Sequence, residues 1–516
     1  MVAAQQLYRL APQPNPGAFP MSEIKMHKAE IGVDLPPSKD SQLKGSIGFV
    51  NLIFTVLAYN GPMVNFLGFL PVAILLGNGI GTPVMLLVCG VVAALFASGL
   101  VAMGLRLPRP GGYYSYVSAG LGKIAGLGTG FTAIVCYFAA NIAGYVLGGI
   151  AAENLVHSAL NGPDLPWWLY GSVMFIIVSI LGYLNIDFSA KILTVFLALE
   201  LLLMVMYNVS VITQGGAEGM GLDSFKPENI FSGDIGIAFM FGIGVYGGFE
   251  ATIIFRDEVK RPEKTIPRAT FAVVAILAIL YSLTAWVFIN AYGPNAIMGV
   301  LTDNVVEASG ASVQQFTGTA AYYAVTSLLI TSCFALSLAS HNIVSRYLFN
   351  LGADGALFKS LARVHARHGS PHRSSVVLSV MVLVGIVLFS GTDGETAYAR
   401  LAGIYSFAFA ILIAFAALAI TVFLSRDKKG GRKAVWPAIG SGVAFVFFTT
   451  ALVLSGLNFG LLTSTEGWFT WALLGLILAI IATGMILAAV YRSRRPEVYA
   501  RIGRDDAGDL VPGTES

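Results

Sequence analysis

Charge is what this sequence has least of. Only 11% of its 516 residues are Asp, Glu, Lys or Arg, against about 25% in a typical soluble protein. A chain of this length would need three or four soluble domains, and it has too few ionisable side chains to coat them. Soluble enzyme, nucleic-acid binder and disordered scaffold are excluded at this step. Cysteine is equally scarce. The three present, Cys89, Cys136 and Cys333, lie inside apolar runs without metal or redox spacing, so neither a metal site nor a cofactor is expected. The six histidines fall mostly in polar segments (His27, His365, His368 and His372) and form no His-rich cluster or Ser-His-Asp order. That argues against a membrane-embedded enzyme. Residues 1–45 lack the apolar stretch of a signal peptide and are expected to be a flexible cytoplasmic tail.

What the chain has is apolar length, with hydrophobic residues at 56%. About 20 apolar residues cross the hydrocarbon core, and such a window finds twelve candidate spans near 47–76, 83–105, 123–154, 166–185, 189–213, 233–255, 269–292, 319–350, 374–390, 400–424, 435–456 and 468–491. The expected fold class is an all-α membrane protein with 12 transmembrane helices. With both termini inside, 29 of the 31 basic residues fall on the cytoplasmic side, leaving Lys226 and Arg400 outside. The opposite orientation would violate the positive-inside rule almost throughout. A cell-membrane protein with cytoplasmic N- and C-termini (492–516 at the C-terminal end) is therefore expected, embedded in a lipid bilayer and without a nucleic-acid partner.

Two spans are interrupted. Span 1 contains Ala58-Tyr59-Asn60-Gly61-Pro62, and Pro62 both lacks a backbone N–H and clashes with the preceding turn. Span 6 contains Phe241-Gly242-Ile243-Gly244-Val245-Tyr246-Gly247-Gly248-Phe249-Glu250. Irregular backbone at such depth survives only inside protein or beside a wet cavity. Either interruption alone reads as ordinary packing or a kink. Both together, five helices apart, match two inverted five-helix repeats and point to a transporter's midplane site. Residues 59–63 and 245–249 are expected to be non-helical and to face each other, their freed N–H groups suiting an anion such as a carboxylate.

Three motifs in order carry a family resemblance. Gly248-Phe249-Glu250-Ala251, followed by Asp257-Glu258-Val259-Lys260-Arg261-Pro262-Glu263-Lys264-Thr265-Ile266-Pro267-Arg268-Ala269, resembles the span 6 to span 7 signature of the amino acid–polyamine–organocation (APC) superfamily of permeases. Pro108-Arg109-Pro110-Gly111-Gly112-Tyr113-Tyr114-Ser115-Tyr116 is similar to the loop after span 2. Ser345-Arg346-Tyr347-Leu348-Phe349, with Gly352-Ala353-Asp354-Gly355, is similar to the end of span 8 in bacterial members. The resemblance implies a core of about 46–425, made of inverted repeats at about 46–213 and 233–425, with two extra C-terminal helices at 435–491. It implies alternating access and carriage of amino acids, amines or polyamines with protons or by exchange. The chain departs from the pattern at Asn60-Gly61-Pro62, where many members are Gly-rich. It departs again at Gly244, where some exchangers place a Trp gate; Tyr59 and Tyr246 are the candidate aromatic substitutes.

The expected cargo is thus a small amino acid or related amine moved by a secondary transporter, with a polyamine or organic-cation permease, an exchanger and a transporter-like nutrient sensor as alternatives. Candidate substrate-binding residues are Tyr59, Asn60, Gly61, Pro62 and Met63 in span 1 and Tyr246, Gly247, Gly248 and Phe249 in span 6. Asn141, Tyr145, Ser332, Ser337 and Tyr405 join them from spans 3, 8 and 10. Intramembrane carboxylates are functional by default, and two stand out as proton-coupling candidates. Glu250 follows the break in span 6, either anchoring it or sensing protons. Glu200 sits in mid-span 5, where the resemblance places a Lys in many relatives. Proton carriage, sodium ligation and a structural hydrogen bond to span 1 or 8 are its three readings. Glu153 and Asp187 lie at span ends, and His341 and Asn342 in span 8 are read as helix-to-helix bonds or path-lining groups.

Overall fold

In a hydrocarbon environment each backbone N–H and C=O must find its partner within the protein, and a helix provides that inside one segment. The computed structural model describes residues 47–107, 112–163, 165–184, 190–256, 259–365, 368–427 and 431–503. The expected tail, residues 108–111 of the span 2 loop motif, Asp187, Asp257 and Glu258 lie outside them.

Among the described residues, eleven helices are long and apolar enough to cross a membrane. The first crossing comprises α1 (Phe49–Asn60), α2 (Pro62–Val64), a π turn at Asn65–Phe69 and α3 (Leu70–Leu76). Then come α4 (Thr82–Gly104), the short α5 (Tyr113–Leu121), α6 (Lys123–Leu160), α7 (Trp167–Leu184) and α8 (Ala190–Gln214). The sixth apolar segment is not one long helix. It divides into α9 (Ile235–Gly244), a turn over residues 245–250 and α10 (Ala251–Ile254). After it follow α11 (Pro262–Tyr292), α12 (Glu307–Thr317), α13 (Thr319–Ala353), α14 (His372–Phe389), α15 (Gly394–Arg426), α16 (Arg432–Leu457) and α17 (Gly467–Arg494). Where twelve spans were expected, eleven full-length helices and one shorter apolar helix are found.

The expectation for residues 59–63 needs correction. Tyr59 and Asn60 end α1, and Pro62 and Met63 already belong to α2. The break is the single residue Gly61, held at φ 64°. Physically, a left-handed glycine ends one helix, and proline, whose missing N–H costs nothing at the first helical position, starts the next. Residues 245–249 are non-helical as anticipated.

α6 runs through the bundle and packs on α13 and α15, while α4 packs on α11 and α16. Outward-facing Ile176 and Ile180 on α7, Leu202 and Val209 on α8, and Val380 and Val387 on α14 are exposed apolar side chains. Such faces suit acyl chains as neighbours. Helix starts are fixed by acids: Asp234 accepts the Ile237 N–H at 2.9 Å and Asp393 the Thr396 N–H at 3.0 Å. In α10 the Thr252 hydroxyl pairs with that of Thr270 on α11 at 2.7 Å. Arg256 donates to the Gly104 and Leu107 carbonyls at 2.9 and 2.7 Å, closing the end of α4.

Candidate functional site

The two interruptions meet. The Asn60 side-chain amide donates to the Val245 and Gly247 carbonyls at 2.7 and 2.8 Å, so the last residue of α1 satisfies backbone acceptors that the sixth segment loses by unwinding. Asn65 holds the same corner from the π turn, donating to the Asn60 backbone oxygen at 2.9 Å and to its side-chain oxygen at 3.1 Å. The Tyr281 hydroxyl of α11 donates to the Asn60 side-chain oxygen and sits 3.0 Å from the Asn65 amide. Unpaired polar groups in such a place would each cost about 1–3 kcal/mol, so this network is what makes both breaks tenable. Neither Asn65 nor Tyr281 was anticipated. An Asn three residues after the Gly61-Pro62 break in span 1 was the available signal for the first, whereas Tyr281 lies 221 positions from its partner and carries none.

Each break also carries a carboxylate. Glu200 on α8 accepts the Met63 N–H at 3.2 Å, with the Ser332 hydroxyl of α13 beside it. Three crossings therefore converge on one buried acid. Glu250 accepts the Gly248 N–H at 2.9 Å, and the Tyr113 and Tyr137 hydroxyls lie close to it.

Beside this junction is a cavity of about 370 Å³. Its wall includes Tyr59, Asn60, Gly247, Gly248, Glu250 and Tyr405, all singled out in the sequence. Tyrosines 113, 116 and 137, which were not singled out as site residues, add phenolic surface. On this wall the Phe69 ring meets Tyr405 edge-on and, behind it, Phe241, each at 5.8 Å between centroids. The wall also includes Phe255, Asn350 and the exposed Arg346. A Cβ at position 244 would stand 3.1 Å from the Phe69 ring and 3.2 Å from the Ser406 hydroxyl, so those side chains take up the space beside Gly244.

The remaining candidates stand off the wall. Gly61, Pro62 and Met63 are buried behind it. The Tyr246 hydroxyl donates to the Leu86 carbonyl at 2.7 Å, and the Phe249 ring packs edge-on against Phe96. Asn141 donates to the Ser337 carbonyl at 2.7 Å, tying α6 to α13, and Tyr145 packs edge-on against Phe175 at 5.8 Å. His341 pairs with Ser375 at 2.8 Å, a helix-to-helix bond between α13 and α14.

A family model described as amino acid permease matches residues 47–486. The chain belongs to the amino acid permease family. This permease is thereby a member of the APC superfamily, a multi-pass membrane protein. It is 22% identical to the low-affinity putrescine importer PlaP of Escherichia coli (strain K12), over 68% of its own length and 76% of the relative's. It is 24% identical to the aromatic amino acid transport protein AroP of Escherichia coli O157:H7, over 71% and 80%. With the cystine/glutamate transporter of Homo sapiens it shares 24% identity over 59% of this chain, spanning about three fifths (60%) of that relative. These relatives are named as transporters of amino acids or an amine, not as enzymes.

Proposed function

We propose that the permease is a secondary active transporter of a small amino acid or related amine, working by alternating access and coupled to protons. The observation that carries this reading is the junction of two interrupted helices, laced by Asn60 to Val245 and Gly247, at a cavity large enough for such a molecule. Breaks let each half-helix turn separately about a fixed site, which a continuous helix cannot do.

Counting α9 and α10 as halves of one crossing gives twelve. That count supports two inverted five-helix repeats, residues about 46–213 and 233–425, followed by α16 and α17. The distribution of basic residues supports cytoplasmic termini in the cell membrane. On that orientation the cavity mouth at the exposed Arg346 faces the cytoplasm. Glu200 and Glu250 are the proton-coupling candidates, because each is an acid bonded to backbone that must move if the halves turn.

Counterflow into proteoliposomes tests the reading. Saturable uptake of labelled amino acid or amine, stimulated by substrate on the far side, is expected. Flux without saturation or trans-stimulation would replace the transporter with a channel, and binding without flux would replace it with a sensor. A strict requirement for internal substrate would make it an exchanger.

A further inference from the structure

α7 and α14 pack against each other, and between them lies a groove of about 340 Å³ that the transport reading does not use. Its walls are Phe175, Ile180 and Leu184 from α7 and Val376, Val380 and Leu383 from α14. Ile180, Val376, Val380 and Leu383 are exposed, which puts the groove on a face that meets the bilayer. From Phe175 to Leu184 the helix rises about 13 Å. That is close to half of the ~30 Å hydrocarbon core, the depth of one leaflet.

The groove includes Tyr183, and there the chemistry changes. The His365 and His372 rings stand edge-on to the Tyr183 ring at 5.7 and 6.2 Å between centroids, and His368 lies 4.7 Å from His365. Arg363 and Arg373 lie close to His372, and neither forms an ion pair among the described residues. Neither α7 nor the segment 355–392 contains an acidic residue. Two atoms also lack a hydrogen-bond partner among the described residues while being buried: Ser179 Oγ, on the groove wall, and His372 Nδ1, beside Tyr183. Buried polar atoms are seldom left so, and a ligand carrying oxygens at this end would supply acceptors for both.

We propose that this groove is a binding site for an anionic phospholipid, with one acyl chain lying between α7 and α14 and the phosphate held by Arg363, His365, His372 and Arg373. An apolar cleft alone would take a sterol or any acyl chain. The basic cluster selects the phosphodiester, because guanidinium and imidazole N–H groups make charge-assisted bonds to phosphate oxygens, and basic pockets between membrane helices suit acidic head groups. The ester carbonyls follow the phosphate inward, and the Ser179 hydroxyl, one turn inward of Tyr183, meets them at that level. The groove and the cavity at the two breaks share no lining residue, so the lipid is a partner of the outer helices and not a cargo.

The test uses the full chain, purified in detergent and stripped of lipid, with bound lipid counted by native mass spectrometry. Dioleoylphosphatidylglycerol should bind saturably at concentrations about tenfold or more below those needed for dioleoylphosphatidylcholine. Arg363→Gln combined with Arg373→Gln removes the head-group charge, and Val380→Trp fills the groove from an exposed position. Each should raise the half-saturating concentration about tenfold and leave the melting temperature within a few degrees; should the arginine pair fail to fold, Val380→Trp decides. Arg492→Gln with Arg494→Gln removes equal charge from exposed positions on α17 and should change nothing. Equal binding of the two lipids, an equal loss in the α17 pair, or wild-type binding in Val380→Trp would overturn the proposal. Displacement of the phosphatidylglycerol by equimolar inorganic phosphate would make this a phosphate site without a lipid, and displacement by equimolar cholesterol a sterol site; either result also overturns it.

Discussion

The carboxylate of Glu200 accepts the backbone N–H of Met63 at 3.2 Å, so the second half of the broken first helix begins on an acid supplied by α8. Any proton that reaches this acid competes with a bond that fixes the position of α2. Glu200→Gln retains an acceptor oxygen and loses the titration, so exchange at equal pH should persist while accumulation driven by a pH gradient disappears. Glu200→Leu should behave differently. It leaves the buried Met63 N–H without its partner, at a cost of about 1–3 kcal/mol, and should lower the melting temperature of the purified protein as well as flux. Wild-type pH dependence of accumulation in Glu200→Gln would reduce Glu200 to a structural cap.

The Tyr281 hydroxyl donates to the Asn60 side-chain oxygen, so substitutions of these two residues should not add. Asn60→Ala strands the Val245 and Gly247 carbonyls and should reduce transport at least tenfold, with a stability loss of about 1–3 kcal/mol. Tyr281→Phe deletes one donor to the Asn60 side chain and should be milder. Combining them should cost less than the sum, with a coupling of about 0.5–3 kcal/mol as for residues in one network. Thermal unfolding of the two single variants and the double variant measures this directly, and strict additivity would place Tyr281 outside the joint.

The interruptions were legible because proline and glycine act locally: Gly61-Pro62 and the glycines of the sixth segment state their consequence within a few residues. Their extent was less so, since a left-handed glycine followed by proline restarts a helix at once, and the first break shrinks to one residue. The acids Glu200 and Glu250 were legible because charge in an apolar run is costly. What the sequence could not reveal is who meets whom. Asn141, Tyr145 and Ser337 looked equivalent to Tyr405, yet only Tyr405 reaches the cavity, because helix rotation about its own axis depends on packing with distant neighbours. Tyrosines 113, 116 and 137 were hidden for the same reason, and an aromatic residue carries no mark of whether it fills a core or lines a wall.

Arg261 gives a topological test. It is exposed at the start of α11, in a segment whose Lys260 N–H bonds the Ile47 carbonyl at 2.9 Å, so the entry to the first crossing and this linker lie on one side. The three native cysteines are buried and should not react. Arg261→Cys in intact cells should escape an impermeant thiol reagent and react after permeabilisation, whereas Leu222→Cys, at a position 66% exposed and expected outside, should react at once. Labelling with the reverse pattern would invert the orientation and turn the cavity mouth outward.

Gly248 separates space from backbone conformation as the source of a glycine requirement. Its φ is 103°, a region that side-chain-bearing residues rarely enter, yet a methyl group there would find its nearest neighbours, the Asn60 and Tyr59 backbones, at 3.5 Å. That distance is ordinary contact. Gly248→Ala should therefore already impair transport strongly, at a strain of about 1–3 kcal/mol, because relief of φ would rotate the N–H away from Glu250 and disturb the carbonyl that Asn60 holds at position 247. Gly248→Val adds branching and should abolish uptake with membrane insertion intact. If the requirement were instead for room, alanine would be carried without loss and only valine would fail. Counterflow with both variants at matched protein levels in the bilayer distinguishes these cases: near-equal loss places the constraint in the backbone of the sixth segment, and a wild-type rate for alanine removes it from there.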